Sequence, residues 1–346
     1  MHQPPSRLYP SLKKQDDRMK TTGKISGDPA RRLDKAFGAM IGVAIGDSLG
    51  DAARTPENHF LYGITTGFGP GAAWSTDDTE FALLTAQLLI ETGGKLTDEA
   101  VLDMWKRHVV TQDEMKRGGA SEREAAQNIR RGMIAPETGF FNAYSLSDGA
   151  AMRATPIGII HAGDPQGAMR CAEIESRISH SADGIWGSQA VAAAVSVAMA
   201  DGSVEECFAA ALEAAPEHSW LRKNLLTVQE MLSGDSVLEE IWMPLHDLLR
   251  SEYKAVVPEA VPSALAVVKL ARGEFRRGIL LAANFGRDTD TLAAIVGGIT
   301  GALHGASQIP PAWIEKCRYP TGTCLGFTKG MDIRKVAEEL AALIPV

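Results

Sequence analysis

The chain has 346 residues, which is enough for one large domain or two small ones. Only 6% of the residues are aromatic whereas alanine, glycine and leucine are abundant, and this composition favours closely packed helices over a β-sandwich. The formal net charge is −8, so the chain lacks the overall basic character of most nucleic-acid-binding proteins, and we expect no nucleic-acid partner.

The four cysteines are scattered and form no C-x-x-C pair, which argues against a zinc site or a disulfide framework. Reduced thiols fit a cytoplasmic location. The N-terminus has no apolar signal-peptide core, and no run of 18 apolar residues occurs, so we predict no membrane association.

Residues 1–30 differ from the rest of the chain. They contain four prolines, six basic and three acidic residues, with little apolar periodicity. One interpretation is a flexible tail. The other is a partner-binding arm, because "PPSRLYP" is a short extended segment with Tyr9 as an anchor.

A helical pattern begins at Arg31. Gly38, Gly42, Gly46 and Gly50 follow at four-residue spacing and would form a smooth stripe on one helix face. Because glycine is a poor helix former, the stripe predicts a close approach by a second helix. Packing does not explain the acidic Asp47 beside the stripe.

Apolar residues at 3.6-residue spacing continue to the C-terminus, and we find no alternating strand pattern. The sequence therefore predicts an all-α fold, with a single compact domain over residues 31–346. The further predicted helices are 77–92, 97–110, 121–133, 148–162, 165–177, 184–200, 203–215, 219–233, 236–250, 260–273, 275–284, 289–305 and 331–343.

Two stretches carry more acids and hydroxyls than a helix start needs. In "WSTDDTEFALL", Asp77 and Glu80 alone would satisfy the capping rule, yet Thr76 and Asp78 are present as well. The excess recurs in "FGRDTDTLAA", before another small-residue helix. Four buried carboxylates would repel one another unless a cation joined them. Carboxylate and hydroxyl oxygens are suitable ligands for Mg²⁺, Mn²⁺ or Ca²⁺. The four acids and the neighbouring hydroxyls are enough to bind two such ions.

Five motifs in order make the chain resemble the ADP-ribosylglycohydrolase family, which includes dinitrogenase-reductase-activating glycohydrolases and ADP-ribosylarginine hydrolases. The resemblance extends from about Phe37 to about Gly326. The motifs are "GVAIGDSLGDAA", "WSTDDTEFAL", "SDGAAMRATPIG", "SRISHSADGIWGSQAV" and "FGRDTDTLAAIVGGITGALHG".

The resemblance implies an all-α hydrolase with two Mg²⁺ or Mn²⁺ ions, which cleaves the bond between C1″ of ADP-ribose and a modified protein side chain, most often arginine. Asp77 or Asp78 would act as the catalytic carboxylate that takes a proton from water. The metal ligands implied by the motifs are Thr76, Asp77, Asp78, Asp288, Asp290 and Thr291.

The resemblance also implies a substrate-binding set, in which an arginine would pair with the diphosphate. The chain departs from the family pattern twice: Asp148 stands where relatives usually carry asparagine, and Arg54 stands where relatives often carry a glutamate. Asp51 or Glu57 would be candidates to replace that glutamate. The implied substrate-binding residues are Asp148, Gly149, Ala150, Met152, Arg153 and His180.

Three alternatives stay open at the level of sequence. A metal-dependent phosphohydrolase would use similar acids, but usually together with histidine ligands. An ADP-ribose sensor without catalysis would be consistent with Arg54 and Asp148. The main alternative is an immunity protein that neutralises an ADP-ribosylating toxin, by hydrolysis or by blocking the toxin's active site with residues 1–30.

Overall fold

The structure is a computed structural model that describes residues 27–53, 64–232 and 238–345. Over these ranges it contains sixteen α-helices, three short 3₁₀ helices and no strand, apart from one isolated antiparallel bridge between Ser147 and Val256. The all-α prediction is confirmed. None of the helices in the described ranges is long and apolar enough to cross a membrane. Most of the predicted N-terminal extension, residues 1–26, lies outside the described residues.

The helices follow one another with mostly short connections. In chain order they are α1 (Pro29–Ala53), α2 (Asp77–Thr92), α3 (Asp98–His108), α4 (Ala120–Arg130), α5 (Glu137–Phe140), α6 (Thr155–Ile160), α7 (Pro165–Ser176), α8 (Asp183–Met199), α9 (Val204–Ala214), α10 (Trp220–Met231), α11 (Leu238–Leu249), α12 (Val257–Leu270), α13 (Phe275–Ala283), α14 (Thr289–His304), α15 (Pro311–Cys317) and α16 (Ile333–Ala342).

The glycine stripe of α1 packs directly on the backbone of α14, as the spacing predicts. A Cβ atom added at Gly42 would lie 2.1 Å from the carbonyl oxygen of Gly297, and one at Gly46 would lie 2.0 Å from that of Ala293. Side chains at these positions would force the two helices apart. Together α1 and α14 form the centre of the main hydrophobic core, beside the almost fully buried α8.

This packing brings the two acidic stretches to one end of the molecule. Gly50, near the end of α1, lies against the backbone of Thr289 and Asp290 at the start of α14. Asp47, one turn earlier, accepts a hydrogen bond from the backbone of Thr76 at the start of α2. The end of α1 therefore connects both helix starts.

One helix prediction was wrong. Residues 148–162 form a 3₁₀ turn (Asp148–Ala150) and the short helix α6, not one continuous helix. The Asp148 amide donates to the Ala255 carbonyl, so this backbone is tied to a neighbouring loop where the helix was expected to begin. The sequence pattern also missed α5 and α15, which have four and seven residues and are too short to show helical periodicity.

Candidate active site

A cavity of about 510 Å³ opens where the starts of α2 and α14 meet the loops that precede α6 and α12. Its walls include both acidic stretches, a second group of polar residues from the start of α4, and two tyrosines. Of the implied site residues, those that line the cavity are Thr76, Asp77, Asp148, Gly149, Met152, Asp288, Asp290 and Thr291.

Asp47 fixes the start of α2. Its buried carboxylate accepts hydrogen bonds from the backbone amides of Thr76 and Thr79, at 2.9 and 3.2 Å, and from both threonine hydroxyls, at 2.6 and 2.5 Å. The cap of α2 thus comes from a different helix. This explains the acid beside the glycine stripe: Asp47 positions Thr76 and the residues that follow it.

The acids of the two stretches do not cap their own helices. Thr76 and Asp288 are the N-cap residues of α2 and α14, and neither makes a side-chain cap hydrogen bond. Glu80 is not part of a capping box either. Its carboxylate accepts from the amides of Thr323, Cys324 and Leu325 at 2.6–2.9 Å, and so holds the segment that precedes the last helix. Helix capping therefore does not account for the paired acids.

Burial and mutual repulsion make these carboxyl groups weak acids. Burial raises the pKa of Asp77 well above its usual value, and the nearby charges of Glu122 and Asp290 raise it further. The pKa of Asp78 is likewise raised well above its usual value, first by burial and then by Asp290. Because charges on one stretch affect the other, the two stretches share one electrostatic environment.

The donor atoms fit a hard divalent cation. One carboxylate oxygen of Asp78 accepts from the Thr76 hydroxyl at 3.2 Å, whereas its other oxygen is buried and has no hydrogen-bond partner among the described residues. Such an oxygen is costly unless a proton or a cation satisfies it. Within the described ranges, no three acidic, histidine or cysteine side chains already stand in a closed ligand cluster.

Arg153 does not line the cavity. Its guanidinium is fully buried and bonded on every side: to Glu175 at 2.8 Å, to Glu122 at 3.0 Å, to the Gly149 carbonyl at 3.1 Å and to the Ser179 hydroxyl at 2.7 Å. In this conformation the guanidinium is closed off from the cavity, so the expected pairing with a diphosphate would require it to leave these partners. Instead it hydrogen-bonds to Glu122 and Gly149, which line the cavity, and so holds this part of the wall in position.

His180 belongs to the same buried network. Its ring accepts from or donates to Ser179 at 2.7 Å and Ser147 at 2.9 Å. Burial lowers its pKa well below the usual histidine value, with a further contribution from the Arg153 charge, so the ring is neutral. It acts on the cavity through Ser147, which is itself part of the wall.

Glu122 is a cavity residue that sequence reasoning missed. One oxygen accepts from Arg153, the other from the Ser121 hydroxyl at 2.7 Å, and Ser121 accepts from Ser147 at 2.8 Å. A Cβ atom at Gly149 would lie 2.2 Å from this carboxylate, so a side chain at this position would collide with Glu122. The signal in the sequence was only a serine and an acid at the start of α4, which is typical of many helices.

The rim of the cavity is basic and aromatic. Arg117 pairs with Asp51 and stacks 5.5 Å from the Trp74 ring centre. The ring centres of Tyr144 and Tyr253, which also line the cavity, lie 5.8 Å apart. Asp51 itself lines the cavity, and Arg117 and the Trp74 ring nitrogen both contact its Oδ2 atom.

The remaining predicted residues lie behind the wall or outside the described ranges. Asp78, Ala150, Arg153 and His180 are buried but do not line the cavity. Arg54, at the position where the resemblance leads us to expect a glutamate, and Glu57, a candidate to replace that glutamate, lie outside the described residues.

Comparison with known proteins identifies the relationship. Residues 28–346 match the family described as ADP-ribosylglycohydrolase. An ADP-ribosylarginine hydrolase, Tri1, of Pseudomonas putida is 28% identical over 322 residues, which cover 90% of this chain and 79% of that protein. The ADP-ribosyl-[dinitrogen reductase] glycohydrolase of Rhodospirillum rubrum is 24% identical over 326 residues, covering 90% and 96% of the two chains. A solved structure of an ADP-ribosylglycohydrolase-related protein complex shares the fold, with a TM-score of 0.65, 23% identity and coverage of 91% and 99%.

Proposed function

Since this chain belongs to the ADP-ribosylglycohydrolase family, we propose that it hydrolyses ADP-ribose from modified protein side chains, with arginine as the modified residue. The observation that carries the proposal is the meeting of two acidic stretches, neither used for helix capping, in one 510 Å³ cavity. A relative named as an ADP-ribosylarginine hydrolase supports the arginine linkage.

The proposed ligands of two divalent cations, Mg²⁺ or Mn²⁺, are the residues inferred from the sequence: Thr76, Asp77, Asp78, Asp288, Asp290 and Thr291. Bound cations would supply Lewis-acid polarisation of water and of the ribose hydroxyls, and would offset the repulsion among the acids.

The chain's own groups perform the proton transfers. Water adds to C1″ as the bond to the guanidine nitrogen breaks, through an oxocarbenium-like transition state. Asp77, which lies in the cavity wall, would accept the proton of the attacking water. The same proton then passes to the departing guanidine nitrogen, so that the strongly basic leaving group departs as guanidinium and the carboxylate is regenerated. Asp47 and Glu122 hold the surrounding wall in position.

Substrate recognition would use the rim instead of Arg153. Arg117 and Arg123 line the cavity and are exposed, and each uses its Nη1 atom on another partner, Asp51 and the Gly118 carbonyl respectively. Their other N–H groups would donate to the diphosphate. Tyr144 and Tyr253 offer ring faces to the adenine. The buried Asp148 carboxylate is suited to accept hydrogen bonds from ribose hydroxyls.

The proposal is tested by identifying the product that is released and the side-chain linkage that is cleaved. Proteins ADP-ribosylated on arginine or on serine are incubated with the wild type and with Asp77→Asn, and free ADP-ribose is measured. We expect release from the arginine-linked substrate and at least a 100-fold loss in the variant, in line with removal of a general base. Preferential release from the serine-linked substrate would overturn the arginine assignment, and release of AMP or phosphate would indicate a phosphohydrolase.

A second proposed role is neutralisation of an ADP-ribosyltransferase toxin by the N-terminal extension. It is favoured by the basic, proline-containing segment that precedes residue 28, where the family match begins. Deleting residues 1–26 should leave hydrolysis unchanged but abolish stoichiometric inhibition of a transferase. If the intact chain does not inhibit a transferase at equimolar concentration, this second role is wrong.

A further inference from the structure

Lys254 places a positive charge directly on one of the proposed metal ligands. It lies in the loop between α11 and α12, and its ammonium nitrogen is 3.0 Å from a carboxylate oxygen of Asp288. The Asp288 side chain is 7% exposed, whereas that of Lys254 is 35% exposed and lines the cavity. The acidic cavity therefore carries a cation of its own on a flexible stem.

The backbone beneath Lys254 is firmly held. The amide and hydroxyl of Ser251 donate to Glu259 at 2.8 and 2.7 Å. Arg287 pairs with Glu259 at 2.6 Å and donates to the Ser251 carbonyl. Since the loop is anchored, a change of partner by Lys254 would come from rotation of its side chain.

A second acceptor for Lys254 stands in the same cavity. Asp148 is buried, and its Oδ2 atom has no hydrogen-bond partner among the described residues. The Asp148 amide donates to the carbonyl of Ala255, the residue next to Lys254, at 3.2 Å. The two side chains thus come from adjoining backbone segments of one cavity wall.

We propose that Lys254 is a tethered counter-cation that occupies Asp288 until a divalent metal ion binds, and then transfers to Asp148. This inference rests on the proposed function, because it takes Asp288 to be a metal ligand. An ammonium ion and a divalent cation on the same carboxylate would repel each other, so the metal must displace Lys254. Lys254 therefore lowers the affinity of the site for metal ions. When metal is scarce, its positive charge partly neutralises the carboxylates.

The first test measures Mn²⁺ binding by isothermal titration calorimetry and by electron paramagnetic resonance of free Mn²⁺, with no substrate present. Lys254→Gln should bind Mn²⁺ about five- to tenfold more tightly than the wild type, because no ion pair has to be broken. Arg123→Gln is the matched control: it removes a charge from the same cavity, but Arg123 donates to the Gly118 carbonyl and not to a carboxylate. We expect it to change the affinity less than twofold.

The second test examines the transfer to Asp148 through a double-mutant cycle. Asp148→Asn should weaken Mn²⁺ binding more in the wild type than in Lys254→Gln, because only the wild type needs Asp148 as the new partner. Equal effects in both backgrounds would overturn the transfer. Equal gains in Lys254→Gln and Arg123→Gln would overturn the specific competition. Failure of every protein to bind Mn²⁺ would overturn the metal centre itself, and hence the proposed function.

Discussion

Replacing Asp47 with alanine should damage both folding stability and metal binding, although Asp47 is not itself a proposed ligand. The change leaves the amides of Thr76 and Thr79 without an acceptor. Each buried amide that loses its partner costs about 1–3 kcal/mol. Removing a buried carboxylate, whose pKa is raised by burial, offsets part of this loss. We therefore expect a decrease of about 2–4 kcal/mol in the free energy of unfolding.

Urea denaturation in EDTA measures this decrease, and calorimetric Mn²⁺ titration of the folded variant measures the site. Asp183→Ala is the matched control, because the buried Asp183 also accepts an amide from another helix, that of Leu221 at 2.8 Å, but does not line the cavity. It should lose about 1–3 kcal/mol and keep its Mn²⁺ affinity. If Asp47→Ala loses less than about 1 kcal/mol, or binds Mn²⁺ as the wild type does, Asp47 does not position the site.

Three further changes test other parts of the structure. Gly42→Ala should lower the free energy of unfolding by about 3 kcal/mol in urea denaturation, because two helix backbones must separate, whereas Gly69→Ala, in open space, should have no effect. Arg153→Ala should lower it by about 3–5 kcal/mol, since two buried carboxylates lose their counter-charge; a change confined to KM would contradict this. The pKa of Asp77 is raised in the folded state, so in EDTA its favourable contribution to the free energy of unfolding is fully present only below pH 3.8, the ordinary carboxyl pKa. This contribution is lost as the pH rises through the raised pKa of the folded state. The melting temperature of the wild type should therefore fall relative to that of Asp77→Asn as the pH rises above 3.8, and a difference that does not change with pH would refute this.

The sequence was informative wherever a local pattern had a single physical explanation. The glycine stripe required a close helix neighbour, and α14 is that neighbour. The excess of acids at two helix starts indicated a shared site, and Asp77, Asp288 and Asp290 do line one cavity. Asp47 was recognised as unexplained by packing, but its partners could not be read, because they lie 29 and 32 residues away on another helix.

The sequence was uninformative wherever a role depends on tertiary contacts. Arg153 matched a ligand-binding motif, yet its partners Glu122 and Glu175 are 31 and 22 residues distant, and together they bury it. Lys254 lies in a loop without periodicity, and its position beside Asp288 depends on how that loop is anchored. Neither ion pair can be predicted from the spacing of residues in the sequence.

The most direct test of the account is metal-dependent release of ADP-ribose. An ADP-ribosylarginine protein is incubated with the wild type in Mg²⁺, with the wild type in EDTA, and with Asp290→Asn in Mg²⁺. We predict release in the first reaction, loss of release in EDTA with recovery on adding Mg²⁺, and loss in the variant. Equal release in all three reactions would contradict the claim that the two acidic stretches form a metal-dependent hydrolase site.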